Sequence, residues 1–74
     1  MDRATLEAHL MLAERHVAQG EEILVKQRTL IGELEGKGLD IRAAEVLLEE
    51  FEAVQAIHVA HRDRLVKTLV KSRV

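Results

Sequence analysis

Gly36-Lys37-Gly38-Leu39-Asp40 is the strongest interruption in this sequence, which has 74 residues and no proline. Gly38 suits the left-handed residue that follows a helix in a Schellman ending. In that motif Leu39 and Leu34 occupy the two positions whose apolar side chains usually touch. The stretch therefore predicts the end of one helix and a tight turn.

Asp40 is placed to begin a second helix, because its carboxylate can accept hydrogen bonds from the free N–H groups of Arg42 or Ala43. Asp2 can cap the first helix in the same way. A connection this short makes the helices antiparallel neighbours. The sequence predicts an all-α hairpin of one domain, 1–74, with helix 3–37, turn 36–40 and helix 41–71.

Composition agrees with long or bundled helices, since 47% of residues are hydrophobic and 32% are charged. The chain has no cysteine, so disulfides and thiolate metal sites are ruled out, and Phe51 is its one aromatic residue. No apolar run approaches the roughly 18 residues of a membrane span, and the first residues do not resemble a signal peptide. We expect a cytoplasmic protein that contacts no membrane.

Both predicted helices carry an alternating four-three spacing, which is typical of a coiled-coil-like contact. We call these positions the seam; they are Leu6, Leu10, Ala13, Val17, Gly20, Leu24, Gln27, Ile31 and Leu34, then Ala44, Leu48, Phe51, Gln55, His58, Arg62, Leu65 and Leu69. Folding about the turn sets residues whose numbers sum to about 75 side by side. Gly20 then meets Gln55, and its lack of a side chain admits a close helix or a bulky group such as Phe51.

Many branched apolar residues lie off this seam, although a hairpin has only one mutual face to bury. This excess predicts a second buried face, most simply in a homodimeric four-helix bundle; the alternative is scattered surface exposure. The residues predicted for the core and dimer interface are Leu24, Ile31, Leu47, Phe51, Val54 and Leu65.

Charge is distributed unevenly along the hairpin. Residues 21–52, near the turn, contain nine acidic and four basic side chains, whereas residues 1–20 and 53–74 contain seven basic and four acidic ones. A two-fold dimer with hairpins pointing in opposite directions would place unlike charges together. We therefore expect antiparallel hairpins.

Four histidines suggest two interpretations. His16, His58 and His61 lie close together in the predicted register and have the chemistry of zinc or iron ligands. The Glu-x-x-His pattern of diiron bundles is missing, however. We favour a polar core layer in which His16, Gln55, His58 and Arg62 hydrogen-bond one another and set the register. Protonating buried imidazoles would then weaken a dimer near pH 5–6.

The basic, amphipathic end of the chain, 61–74, suggests contact with phosphates or an acidic protein. It lacks aromatic side chains that stack on bases, so we do not expect nucleic acid as a partner. Cations also stabilise a helix C-terminus by themselves. No nucleophile or phosphate loop is present, so we predict no enzyme and no cofactor. The expected role is a structural or interaction module that binds itself and a further protein; the alternatives are nucleic-acid association and a metal or ligand site.

Two segments, 13–21 and 55–65, resemble short bacterial helical-hairpin proteins of unknown function. They read Ala13-Glu14-Arg15-His16-Val17-Ala18-Gln19-Gly20-Glu21 and Gln55-Ala56-Ile57-His58-Val59-Ala60-His61-Arg62-Asp63-Arg64-Leu65. The resemblance covers most of the chain and implies a helical hairpin. It implies no activity, cofactor or partner.

Overall fold

The computed structural model describes residues 2–72, which form two long helices in a hairpin. Helix α1 spans Arg3–Gly36 and helix α2 spans Arg42–Ser72, with 34 and 31 residues respectively. The molecule is a rod of 56 × 15 × 14 Å. The predicted all-α hairpin is confirmed.

The turn has the predicted Schellman geometry. Gly38 has φ of 71° and is left-handed, a conformation that glycine adopts without a steric cost. Its N–H donates to the Glu35 carbonyl at 3.0 Å, and the Leu39 N–H donates to the Leu34 carbonyl at 2.9 Å. Lys37 is the C-cap, so α1 ends at Gly36, one residue before the predicted limit.

Asp2 is the N-cap of α1, whereas Asp40 lies one residue before the N-cap position of α2, which Ile41 occupies. Asp2 accepts from the Thr5 N–H at 2.7 Å, and Asp40 accepts from the Arg42 N–H at 3.0 Å. The Ile41 carbonyl accepts the first helical bond of α2, from the Glu45 N–H at 2.9 Å. Helix α2 therefore begins at Arg42, one residue later than predicted, and it continues to Ser72.

The seam is the contact between the two helices, and each of its positions is buried or half-buried. At the open end, the buried residues Leu6, Ala13, Leu65 and Leu69 form an apolar cluster, and Leu10 packs against it. The four-three spacing thus accounts for the fold of one hairpin.

Large apolar side chains off the seam are exposed. They include Met11, Leu12, Ile23, Val25, Leu30, Leu39, Val46, Leu47, Val54, Ile57, Val66 and Val70. Neither helix, within residues 2–72, is long and apolar enough to cross a membrane.

Candidate functional site

The two long flanks of the seam differ in chemistry. One flank, which we call the neutral side, carries no Asp, Glu, Lys or Arg. Its residues directly precede every second seam position, beginning at Leu10 on α1 and at Leu48 on α2. They are His9, His16, Ile23 and Leu30 of α1 with Leu47, Val54, His61 and Thr68 of α2. In antiparallel helices these positions adjoin the same edge of the seam.

Two grooves show that both helices contribute to this flank. The first, which we call the central groove, encloses about 110 Å³ and brings His16 and Ile23 together with Val54. The second encloses about 300 Å³ and brings His9 and His16 together with His61. The neutral side is therefore a continuous surface of branched apolar residues and imidazoles.

The other flank, which we call the acidic side, carries carboxylates along α1 and the first half of α2. Its residues are Glu7, Glu14, Glu21, Arg28 and Glu35 of α1 with Glu45, Glu52, Val59 and Val66 of α2. Arg28 forms a long ion pair with Glu52, N to O 3.7 Å, at exposed positions. A groove of about 350 Å³ on this side is lined by Arg28, Ile31, Gly32, Glu35, Glu45, Leu48, Glu49 and Glu52.

Gln55 connects the helices at mid-length, in the floor of the central groove. Its side chain is 6% exposed, and its Nε2 donates to the Val17 carbonyl at 2.9 Å and to Glu21 Oε1 at 3.3 Å. Its Oε1 is buried without a hydrogen-bond donor and lies over Gly20. A methyl group at Gly20 would overlap this amide and lie 2.6 Å from Gln55 Cδ. Gly20 is therefore the space that lets Gln55 cross the seam.

The predicted polar layer is only partly assembled as expected. His16, Gln55 and His58 line the same groove, and the two imidazole rings are 5.3 Å apart between centroids. Within residues 2–72, however, no hydrogen bond joins the four predicted members to one another. Gln55 bonds to Val17 and Glu21 instead, and the Arg62 guanidinium donates to Asp63 at 3.1 Å.

The predicted metal ligands do not form a metal site in one hairpin. His16 lies beside His58 across the seam, and His61 shares the second groove with His16. Across the described part of the chain, no group of three or more His, Asp or Glu side chains is arranged to hold a metal ion. The imidazoles instead lie among apolar neighbours such as Leu12 and Ala13.

The residues predicted for the core and dimer interface fall into two groups. Leu24, Ile31 and Leu65 are buried inside the hairpin, and Phe51 is half-buried there. Leu47 and Val54 lie on the neutral side and are 40% and 50% exposed. The hairpin therefore completes its own core without them.

Sequence reasoning missed a second polar link. Gln27 is 7% exposed, and its Nε2 donates to the Ala44 carbonyl at 2.8 Å near the turn. A glutamine at a seam position indicates a buried polar contact, and Gln27 and Gln55 both occupy such positions. The contrast between the neutral and acidic sides could also have been predicted, because it follows from the residues next to the seam positions in the sequence.

Comparisons with known proteins identify no homologue. No family model matches this sequence, and neither the curated proteins nor the solved structures contain a detectable match.

Proposed function

We propose that this chain is a helical interaction module that acts as a homodimeric four-helix bundle, joined through the neutral side. The observation that carries the proposal is the exposure of this flank's aliphatic residues. Ile23 is 44% exposed, Leu30 42%, Leu47 40% and Val54 50%, although the hairpin core is already closed. The setting proposed from composition is the cytoplasm.

Energy favours covering this flank rather than the other one. Fully burying a branched aliphatic side chain contributes roughly 1.5–3 kcal/mol, so covering the exposed half of each contributes about 1 kcal/mol. A dimer covers two copies of the set. Burying the acidic side would instead remove several carboxylates from water, which is costly without paired cations.

The pattern of helix positions supports the same partner class. A helix that buries only two positions in seven forms a two-stranded contact, whereas a third apolar position in each repeat is typical of helices in a larger bundle. Ile23 and Leu30 supply the third position on α1, and Leu47 and Val54 supply it on α2. A second hairpin presents a matching face.

The test compares two valine variants on the same helix. Val54 lies on the neutral side and is 50% exposed, whereas Val46 points away from the seam and is 55% exposed. We expect Val54→Glu to shift the mass measured by light scattering from two copies to one at about 10 μM, which corresponds to a hundred-fold or larger weakening. Val46→Glu should retain the mass of two copies.

Detection should use refractive index, because the chain has no Trp or Tyr. Wild-type protein that is helical by circular dichroism and has the mass of one copy at this concentration would refute the dimer. A monomer produced equally by both variants would show that the neutral side is not the contact surface.

A further inference from the structure

We propose that the two hairpins of the dimer are antiparallel, with each turn beside the open end of its partner and the two central grooves facing each other across the two-fold axis. This inference rests on the proposed function and specifies the arrangement of the same surface. The occupant of the neutral side is then a second copy of this chain in one defined orientation.

The first support is the charge difference between the two halves of the rod. The half near the turn, residues 21–52, has nine acidic and four basic side chains, and the remaining residues have seven basic and four acidic ones. All four ion pairs of residues 2–72 join groups within one half: Arg3 with Glu7, Arg28 with Glu52, Arg42 with Asp40 and Arg62 with Asp63. These pairs therefore leave the difference in net charge between the halves unchanged. An antiparallel partner would offset it by placing its basic open end beside the acidic half.

The second support, for full overlap of the two hairpins and not for their direction, is the position of the central groove. Helix α1 is centred between residues 19 and 20, and α2 is centred at residue 57. The groove is lined by Gln19, Gly20, Val54 and Gln55, among others, so it lies at mid-length on both helices. A two-fold axis perpendicular to the rods must pass through mid-length if both hairpins overlap fully. The groove then meets its own copy, and the whole neutral side is covered.

The third support is a pair of charges at the edge of the neutral side. An axis of this kind sets α2 against α2 of the partner, so residues at similar distances on either side of mid-length come within about one helical turn of each other. Glu50 lies seven residues before the centre of α2 at residue 57 and Arg64 seven residues after it. Both are exposed on the single hairpin. Each dimer would therefore hold two symmetric Glu50–Arg64 contacts between subunits.

Distance measurement between spin labels tests the orientation directly. The chain has no cysteine, so one introduced cysteine is a unique labelling site. Lys37 lies about 26 Å and Ser72 about 22 Å from mid-length along the helix axes. Antiparallel hairpins predict label separations of about 52 Å in the Lys37→Cys dimer and about 45 Å in the Ser72→Cys dimer. A mixture of the two labelled variants should add a separation near 20 Å or less.

Ala60→Cys is the matched control, because it is exposed near mid-length and gives a short separation in either orientation. Short separations in both Lys37→Cys and Ser72→Cys would overturn the antiparallel arrangement while leaving the dimer intact. Absence of any dipolar signal, together with the mass of one copy, would refute the proposed function instead.

A charge exchange gives an independent readout. We expect Glu50→Arg and Arg64→Glu each to weaken the dimer about three- to five-fold at low salt, and the double variant to restore wild-type affinity. If the double variant lost as much dimer affinity as the two single variants combined, the Glu50–Arg64 contact would be contradicted. Each variant should keep the wild-type helical content in circular dichroism.

Discussion

The neutral side and the acidic side flank the same seam on the same two helices, yet they suit opposite surroundings. The neutral side offers Ile23, Leu30, Leu47 and Val54, which gain free energy when water is removed. The acidic side offers mainly glutamates, which lose hydration when they are covered. In the proposed dimer the neutral side would therefore be covered, and water would remain on the acidic side.

Each side also has a groove that contains a glycine, and the two glycines differ in what surrounds them. Gly20 lies in the central groove under Gln55, whereas Gly32 lies in the acidic groove with nothing within 4 Å of an added methyl group. The same residue type thus serves close packing on one side and is merely tolerated on the other. This difference leads to the largest of the predicted effects.

Gly20→Ala should destabilise the fold and Gly32→Ala should stabilise it. The methyl group at residue 20 displaces the Gln55 amide from its hydrogen bonds, and overpacking of this kind costs about 1–3 kcal/mol, which outweighs the gain of about 0.5–1 kcal/mol from helix propensity. The methyl group at residue 32 meets open space and gains about 0.5–1 kcal/mol from helix propensity. Urea unfolding followed by circular dichroism at 222 nm measures both changes. Equal effects of the two substitutions would remove the distinction between the grooves.

Mild acid should affect the two sides differently. Imidazole is the side chain whose ordinary pKa lies between about pH 5 and 8, whereas the ordinary pKa of a glutamate carboxyl is about 4. The ionisable groups that line the two histidine grooves are His9 and His16 on α1 and His58 and His61 on α2. The charged groups at the edge of the neutral side are Lys26 and Glu33 on α1 and Glu50, Arg64 and Lys71 on α2. Because no free carboxylate lines either histidine groove, the protons add charge of one sign to the contact.

We therefore expect the dimer to weaken about ten-fold or more between pH 7.5 and pH 5, a change of about 1.4 kcal/mol or more. Sedimentation at both pH values measures the change. The His16→Gln/His61→Gln variant should lose much of the pH dependence and still form a dimer at pH 7.5. Wild-type dimer of equal strength at both pH values would show that the imidazoles remain solvated in the dimer.

Removal of the cation on the acidic side should have a smaller effect. Arg28 is the one base in that set of flank positions, and its contact with Glu52 is long and exposed. Arg28→Gln should destabilise the hairpin by about 0.2–1 kcal/mol at low salt, because the neighbouring glutamates lose a counter-charge. In 0.5 M salt the difference should nearly vanish. A loss that persists at high salt would indicate packing by the arginine stem instead.

The smallest effect is expected at the turn that joins the two helices. The Arg42 guanidinium, followed by the Arg42 N–H, lowers the pKa of Asp40 below its ordinary value. A lowered pKa in the folded state means that this carboxylate stabilises α2 above about pH 4 and loses that contribution as the pH falls through the folded-state pKa. Asp40→Asn should slightly lower Tm relative to wild type at pH 7. At pH 2 the two proteins should have the same Tm. An unchanged Tm at pH 7 would show that the Arg42 contact makes no net contribution.

Much of the hairpin was readable from sequence because its signals are local. Gly38 and Asp40 act through backbone geometry within a few residues, so their roles followed from residue type and order. The four-three spacing identified the seam for a similar reason, since helical periodicity fixes which side chains share a face. The pairing of Gly20 with Gln55 also followed from the length of the turn.

The tertiary structure decided what the polar seam residues bond to and where the apolar excess lies. Gln55 reaches the backbone of Val17 and the carboxylate of Glu21 rather than the imidazoles, because the bare backbone at Gly20 lets its side chain cross the seam. The four-three spacing already placed Leu65 on the seam and Leu47 off it, and packing against α1 set how far each is buried, with Leu65 9% and Leu47 40% exposed. Sequence determines which residues can be buried, and the docking of one helix on the other determines which of them remain for a partner.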